Sequence, residues 1–89
     1  ITSISIAKTA AQLIYFGEIE KAKQLALLAI KINPKDHRIW AVLAESQVRN
    51  NELEEAIKSI RFAQKLDSNN EKFDESTILN LSYQSVKEQ

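Results

Sequence analysis

The residues that could do acid–base or metal chemistry in this 89-residue sequence are few. His37 is the only histidine, and there is no cysteine. His37 therefore has no second imidazole and no thiolate with which to form a nucleophile–base pair or a transition-metal site. A single histidine just after a turn is more often a solvated side chain than a catalyst. The sequence accordingly predicts no catalytic residue, and we interpret the chain as not an enzyme.

Three carboxylates, Glu52, Glu54 and Glu55, lie close together and could be imagined to bind a hard metal ion. They also fall where a helix is expected to begin, and carboxylates are favourable there because the amino end of the helix dipole is positive. We prefer this structural interpretation and expect no metal. The chain has a single glycine, Gly17, which cannot build a glycine-rich phosphate loop. No cofactor is expected.

Charge and hydropathy exclude two classes of partner. Twelve basic and twelve acidic residues balance, so the basic field that nonspecific nucleic-acid binding requires is missing. No segment approaches the roughly 18–20 apolar residues that span a bilayer, so no direct membrane insertion is expected. These features fit a cytoplasmic or other soluble compartment. The sequence begins at Ile1 rather than Met, which we interpret as a sign that it is part of a longer protein.

The positions of the alanines reveal an internal repeat of 34 residues. One Gly, one Pro and no alternating β-branched segment indicate an all-α chain. Shifting the sequence by 34 positions aligns chemically similar residues in one register. The aligned pairs are Ala7 with Ala41, Ala10 with Ala44, Ala22 with Ala56, Ala29 with Ala63, Glu18 with Glu52, Glu20 with Glu54, and Lys31 with Lys65.

This period and its residues resemble the tetratricopeptide-repeat (TPR) family. The match covers about three quarters of the chain. Residues at the family's large and small positions in the second copy are Trp40, Leu43, Ala44, Ala56, Ile60 and Ala63. Departures from the family pattern are Ile6 for Trp, Thr9 for Leu, Leu13 and Gln47 for the aromatic residue, and Ser68 for the second Pro.

The resemblance implies a TPR-type α-solenoid of about five helices in a single domain spanning residues 1–89. The repeats would cover 3–34 and 37–70, followed by a capping helix over about 70–87. The expected helices are Ser3–Phe16, Ile19–Ile32, Asp36–Arg49, Leu53–Leu66 and about Asn70–Lys87.

Gly17 and Asn51 mark the tight turns, and Asn tolerates the left-handed backbone conformation. Pro34 should end the second helix, while Asn51 and Glu54 have the spacing of a capping box. The alanines should let paired helices approach closely, with Trp40 in the core.

The family uses a concave groove lined by the first helix of each repeat. By alignment, the implied groove residues are Ile4, Ala7, Ala11, Ile14, Tyr15, Arg38, Ala41, Val42, Glu45, Val48, Arg49, Leu79 and Tyr83, with Lys72 and Glu75 beside the last two. The Lys and Asn that grip a chaperone C-terminal carboxylate in some members correspond here to Ala7, Ala11 and Val42. Binding of such a tail is therefore not expected.

The function implied is that of a protein-interaction scaffold or assembly-factor module. Its partner would be a protein or peptide that presents apolar and acidic groups to the groove. One alternative is an oligomerisation or spacer module that pairs with a second copy through Ile1, Ile4 and Ile6, or through the stripe from Leu79 to Val86. Another is a non-catalytic segment of a larger enzyme.

Overall fold

A computed structural model of the chain describes residues 2–67, which form four α-helices. These are α1 (Ser3–Tyr15), α2 (Ile19–Ile32), α3 (His37–Arg49) and α4 (Leu53–Leu66). Residues 2–67 contain no β-strand, so the all-α prediction is confirmed for this part of the chain. The predicted fifth helix, over about 70–87, lies outside the described residues.

The helices form two antiparallel hairpins joined by a short connection. Hairpin 1 is α1 with α2, and hairpin 2 is α3 with α4. Helix α3 packs against both helices of hairpin 1 and so connects the two units. Because α1 and α3 are in contact and follow the same direction, the first helices of the two hairpins lie side by side.

The 34-residue period of the sequence is reproduced in the backbone. The glycine of the first turn, Gly17, has φ 83°, and its counterpart Asn51 has φ 62°. Each turn is closed by the same hydrogen bonds, in which equivalent amides donate to equivalent carbonyl oxygens. These are Glu18 N to Leu13 O and Glu52 N to Gln47 O, both 2.8 Å, with Gly17 N to Ile14 O at 3.0 Å and Asn51 N to Val48 O at 3.1 Å.

The helix ends differ from the predicted ones at two places, and one predicted cap is not formed. Phe16 is the C-cap of α1, so that helix stops one residue earlier than predicted. Asp36 is the N-cap of α3 and not its first residue, because its carboxylate accepts the amide of Arg38 at 3.0 Å. The capping box predicted with Asn51 as its first residue is wrong, since Glu52 is the N-cap of α4, and the Glu52 side chain makes no cap hydrogen bond. Helix α2 ends before Pro34, as predicted.

Buried alanines form the contact between helices in both hairpins. Ala10 of α1 and Ala22 and Ala26 of α2 are fully buried, or nearly so, in one cluster that includes Leu43 of α3. Side chains this small allow a close approach of the helix backbones. Ala29, predicted to face α1, packs with both Ala7 of α1 and Ile39 of α3. In hairpin 2 the corresponding cluster is Ala44, Val48, Ala56 and Ile60.

Trp40 fills the junction between the hairpins and is half-buried, whereas we predicted a core position. Its ring packs against the alanine cluster of hairpin 1. It also lies against Phe62 of α4, with ring centroids 4.4 Å apart, and its Nε1 donates to the carbonyl oxygen of Pro34 at 2.7 Å. Trp40 therefore connects α2, the α2–α3 connection and α4 while keeping its polar atom paired.

An ion pair also joins the hairpins at the opposite end of α2. Lys23 Nζ donates to both carboxylate oxygens of Glu52, at 3.0 and 3.2 Å. Asn50 Nδ2 donates to the same carboxylate at 3.0 Å. The hydrogen bond from Asn50 lowers the pKa of Glu52 most, and the hydrogen bond and positive charge of Lys23 lower it further. The hydrogen bond to Glu52 raises the pKa of Lys23. Both groups are thus charged at neutral pH.

Candidate partner-binding surface

Helices α1 and α3 present matching rows of residues on their outward sides. The row on α1 consists of Ile4, Lys8, Ala11 and Tyr15, and the row on α3 consists of Arg38, Val42, Glu45 and Arg49. Successive members are four, three and four residues apart, a spacing that keeps a row on one side of a helix. Each α3 member lies 34 positions after its α1 counterpart. We call the eight residues together the α1–α3 stripe.

The stripe is most accessible at its α1 end. Tyr15 is 85% exposed, and Lys8 and Ala11 are also exposed. Ile4 is half-buried because it packs against the cluster of Ala7, Ala29 and Ile39. The available surface on α1 is therefore an aromatic ring, a small methyl group and an ammonium group, a combination able to contact apolar and acidic atoms.

The two arginines of the stripe already have carboxylate neighbours in the same chain. Arg38 binds Asp36 through two hydrogen bonds, Nε to Oδ1 at 3.0 Å and Nη2 to Oδ2 at 2.7 Å. This bond lowers the pKa of Asp36 and raises that of Arg38. Arg49 lies 3.9 Å from Glu45 in an exposed pair, which contributes only about 0.3–0.5 kcal/mol. Arg49 is consequently the easier of the two to redirect toward a partner.

Several residues predicted to line a groove are instead inside the fold. Ala7, Ile14, Ala41 and Val48 are buried, with at most 6% of their surface exposed. They support the stripe from beneath and cannot contact a partner in this arrangement. Lys8 is an exposed member that the prediction missed, although its spacing from Ile4 and Ala11 could have identified it. Leu79, Tyr83, Lys72 and Glu75 lie outside the described residues.

The residues considered for chemistry take structural positions. His37, expected to be solvated, has its Nε2 3.2 Å from Oδ2 of Asp67 and so links the start of α3 to the end of α4. Glu52 of the acidic cluster faces Lys23, and Glu55 lies 3.5 Å from Lys58. Residues 2–67 contain no group of three or more acidic, His or Cys side chains placed to hold a metal ion.

Comparisons with known proteins do not extend this description. No protein-family model, no curated protein and no solved structure matches the chain. Among the helices described here, none has the length and apolar character needed to cross a membrane.

Proposed function

We propose that the chain is a TPR-type α-solenoid module that binds a partner protein or peptide along the α1–α3 stripe. The observation that carries this proposal is the repetition of the hairpin at 34 residues, in helix lengths, turn hydrogen bonds and buried alanines. Hairpins that repeat in this way place equivalent outward residues side by side, which is how repeat proteins build extended binding surfaces. The segment after residue 67 would supply the fifth, capping helix.

The exposed members of the stripe indicate the chemistry of the partner. Tyr15 offers a large amphipathic ring at small cost in conformational entropy, and Ala11 leaves room for a close approach beside it. Lys8, two helical turns before Tyr15, adds a positive charge on the same side. A partner would therefore present an apolar side chain to Tyr15 and an acidic group to Lys8 or Arg49. Apolar contact would supply most of the affinity, and charge would chiefly set orientation and association rate.

This role requires no chemical step, and the chain would act as a non-catalytic scaffold or assembly factor. The side chains that could have taken part in catalysis, His37 and Glu52, are engaged in contacts that connect helices. Self-association through Ile4 and Ile6 has less support, because both side chains are half-buried against the Ala7 cluster.

The test begins with peptides selected for binding from a random library displayed against the full chain. Nuclear magnetic resonance shift mapping with the selected peptide should place the perturbed amides on α1 and α3. Tyr15→Ala and Lys8→Glu should each weaken binding by about tenfold, equivalent to about 1.4 kcal/mol.

Lys58→Glu is the matched control, because Lys58 is an exposed lysine of α4 whose ion pair lies within one helix. It should leave the affinity within about twofold, or roughly 0.4 kcal/mol. Shifts confined to α2 and α4, or equal losses from Lys8→Glu and Lys58→Glu, would contradict a binding site on the stripe.

A further inference from the structure

The last two turns of α2 and α4 expose apolar side chains beside the faces that carry the buried alanines. On α2 these are Leu28, 46% exposed, and Ile32, 53% exposed. On α4 the counterpart of Leu28 is Phe62, which is 42% exposed. Isolated exposed apolar residues are ordinary, but Leu28 and Phe62 are exposed at equivalent positions of two helices. The buried alanines form the contact of α2 with α1, and Leu28 and Ile32 stay outside it. Phe62 contacts Trp40 of α3 and still has 42% of its surface exposed.

The same turns carry positive charge and no acidic residue. Residues 27–35 and 61–66 contain no Asp or Glu. Lys31 and Lys65 are equivalent, exposed and without an ion pair within residues 2–67. Lysine interacts favourably with the carboxyl end of a helix, which explains why Lys31 and Lys65 lie there. It does not explain why exposed apolar side chains lie beside them. We call Leu28, Lys31, Ile32, Phe62 and Lys65 the α2–α4 outer surface.

Lysines nearer the amino ends of these two helices behave differently. Lys21 lies 3.9 Å from Glu18, and Lys58 lies 3.5 Å from Glu55. Their charges are thus partly compensated on their own helices, whereas those of Lys31 and Lys65 are not. Lys31 and Lys65 therefore offer two positive charges, without an ion pair in residues 2–67, on the same turns as the exposed apolar side chains.

Trp40 connects the two halves of this surface. Its ring packs against the alanine cluster that α2 contributes to and contacts Phe62 of α4. Phe62 is thereby held at the junction of the hairpins. The carboxyl ends of α2 and α4 lie at the same end of the molecule, because α2 leads directly into α3 and His37 at the start of α3 contacts Asp67 at the end of α4.

We propose that the α2–α4 outer surface docks an acidic amphipathic helix of a partner protein. Apolar residues of that helix, three and four apart, would cover Leu28, Ile32 and Phe62, and its flanking carboxylates would meet Lys31 and Lys65. An anionic membrane is the less favoured occupant because this surface offers two lysines, Lys31 and Lys65, whereas recognition of anionic lipids typically uses clusters of about four to eight basic residues. This site is separate from the α1–α3 stripe and does not depend on it.

The experiment uses the full chain and a synthetic helical peptide of roughly 18 residues, or five turns. The peptide has Leu at spacings of three and four, with Glu and Ala elsewhere. Titration calorimetry should detect binding, and shift mapping should place it on the carboxyl halves of α2 and α4. Replacing every Glu of the peptide by Gln should weaken binding by at least about tenfold. Absence of binding, or equal affinity for both peptides, overturns the proposal.

Variants of the protein locate the contact. Combined Lys31→Glu and Lys65→Glu should weaken binding of the Glu peptide by about tenfold or more. Leu28→Ser with Ile32→Ser should weaken it similarly, with the helical circular dichroism signal unchanged in both cases. The matched control, Lys21→Glu with Lys58→Glu, reverses the same number of lysines on the same helices and should change the affinity by less than about twofold. Equal loss from this control overturns the assignment.

Two further comparisons separate this site from other surfaces. Tyr15→Ala, which alters the α1–α3 stripe, should leave peptide affinity unchanged; a loss there means that the peptide binds the stripe. Cosedimentation with phosphatidylcholine vesicles, with and without phosphatidylserine, should show no binding. Binding to the anionic vesicles that Lys31→Glu with Lys65→Glu abolishes would identify a membrane surface and overturn the choice of a protein partner.

Discussion

The hydroxyl of Ser59 on α4 donates a 2.7 Å hydrogen bond to Oε1 of Gln47 on α3, inside hairpin 2. Both residues are buried. Thirty-four residues earlier the same positions hold Leu13 and Leu25, which pack against the alanine cluster of hairpin 1. One helix contact is therefore made with an apolar pair in the first hairpin and a hydrogen-bonded pair in the second.

The replacement of an apolar pair by a hydrogen-bonded pair predicts the result of a double-mutant cycle. Ser59→Ala alone removes the donor of a buried bond and should destabilise the fold by about 1–3 kcal/mol. Combining it with Gln47→Leu removes both polar partners and should recover most of that loss. Urea unfolding of the two single variants and the double variant gives the coupling energy, expected at about 0.5–3 kcal/mol for residues in contact. Strictly additive losses would show that the bond does not couple the two helices.

The buried alanines predict a steep dependence of stability on side-chain size. Ala22→Leu and Ala56→Leu place larger side chains at positions with no exposed surface. Each should lower the free energy of unfolding by about 1–3 kcal/mol through overpacking. Ala11→Leu is the matched control, because Ala11 is an exposed alanine of α1 and should change stability by no more than about 0.5 kcal/mol. Similar denaturation midpoints for Ala22→Leu and Ala11→Leu would refute the close-packing explanation.

The ion pair between Lys23 and Glu52 predicts a pH-dependent contribution to stability. Because the folded pKa of Glu52 is lowered, its contribution is present above the unfolded pKa of about 4.3 and is lost as pH falls through the folded value. Because the pKa of Lys23 is raised, its contribution is present below about 10.4 and is lost at higher pH.

Glu52→Gln should therefore destabilise the chain most between these limits. Solvent screening at this partly exposed site keeps the expected difference to about 1 kcal/mol or less. The measurement is urea unfolding of both proteins from acid to alkaline pH. Added salt should reduce the difference at neutral pH. A constant difference down to strongly acidic pH would mean that Glu52 acts through packing and not through charge.

Much of this fold could be predicted because the decisive features are local or periodic. Gly17 and Asn51 predicted the two turns, and Pro34 predicted the end of α2. The repeated alanines predicted which faces of the helices are in contact. The contact between Lys23 and Glu52 could not be found in the same way. These residues are 29 positions apart and meet only because hairpin 2 packs beside hairpin 1. The pair does not repeat, because Lys23 aligns with Ile57 although Glu52 aligns with Glu18.

The candidate surface was harder to predict than the helices. An apolar residue in an amphipathic pattern can face a groove or the core, and the pattern alone did not separate Ala7 and Ile14, which are buried, from Ala11, which is exposed. The exposure of Leu28 and Ile32 could not be predicted either, since leucine and isoleucine at helical spacing ordinarily indicate a buried face. Only the packing of α2 against α1 and α3 shows which arc of the helix remains uncovered.

The two tight turns predict different responses to the same substitution. Gly17, at φ 83°, has no atom within 4 Å of the position that a Cβ would occupy. The cost of Gly17→Ala should therefore come from the backbone alone, at about 1–2 kcal/mol for a left-handed residue with a side chain. Gly17→Asn should cost less, because Asn is the residue that hairpin 2 uses at the equivalent position, with φ 62°.

The reciprocal change completes the comparison. Asn51→Gly relieves the left-handed strain but makes the unfolded chain more flexible, so we expect a change within about 1 kcal/mol. Asn51→Ala should destabilise by less than Gly17→Ala, because Asn51 already has part of the cost of a left-handed residue with a side chain. Thermal unfolding of all four variants gives the order of their stabilities. If Gly17→Ala and Gly17→Asn are equally well tolerated, the turn can adopt another backbone conformation, and the left-handed residue is not what closes the hairpin.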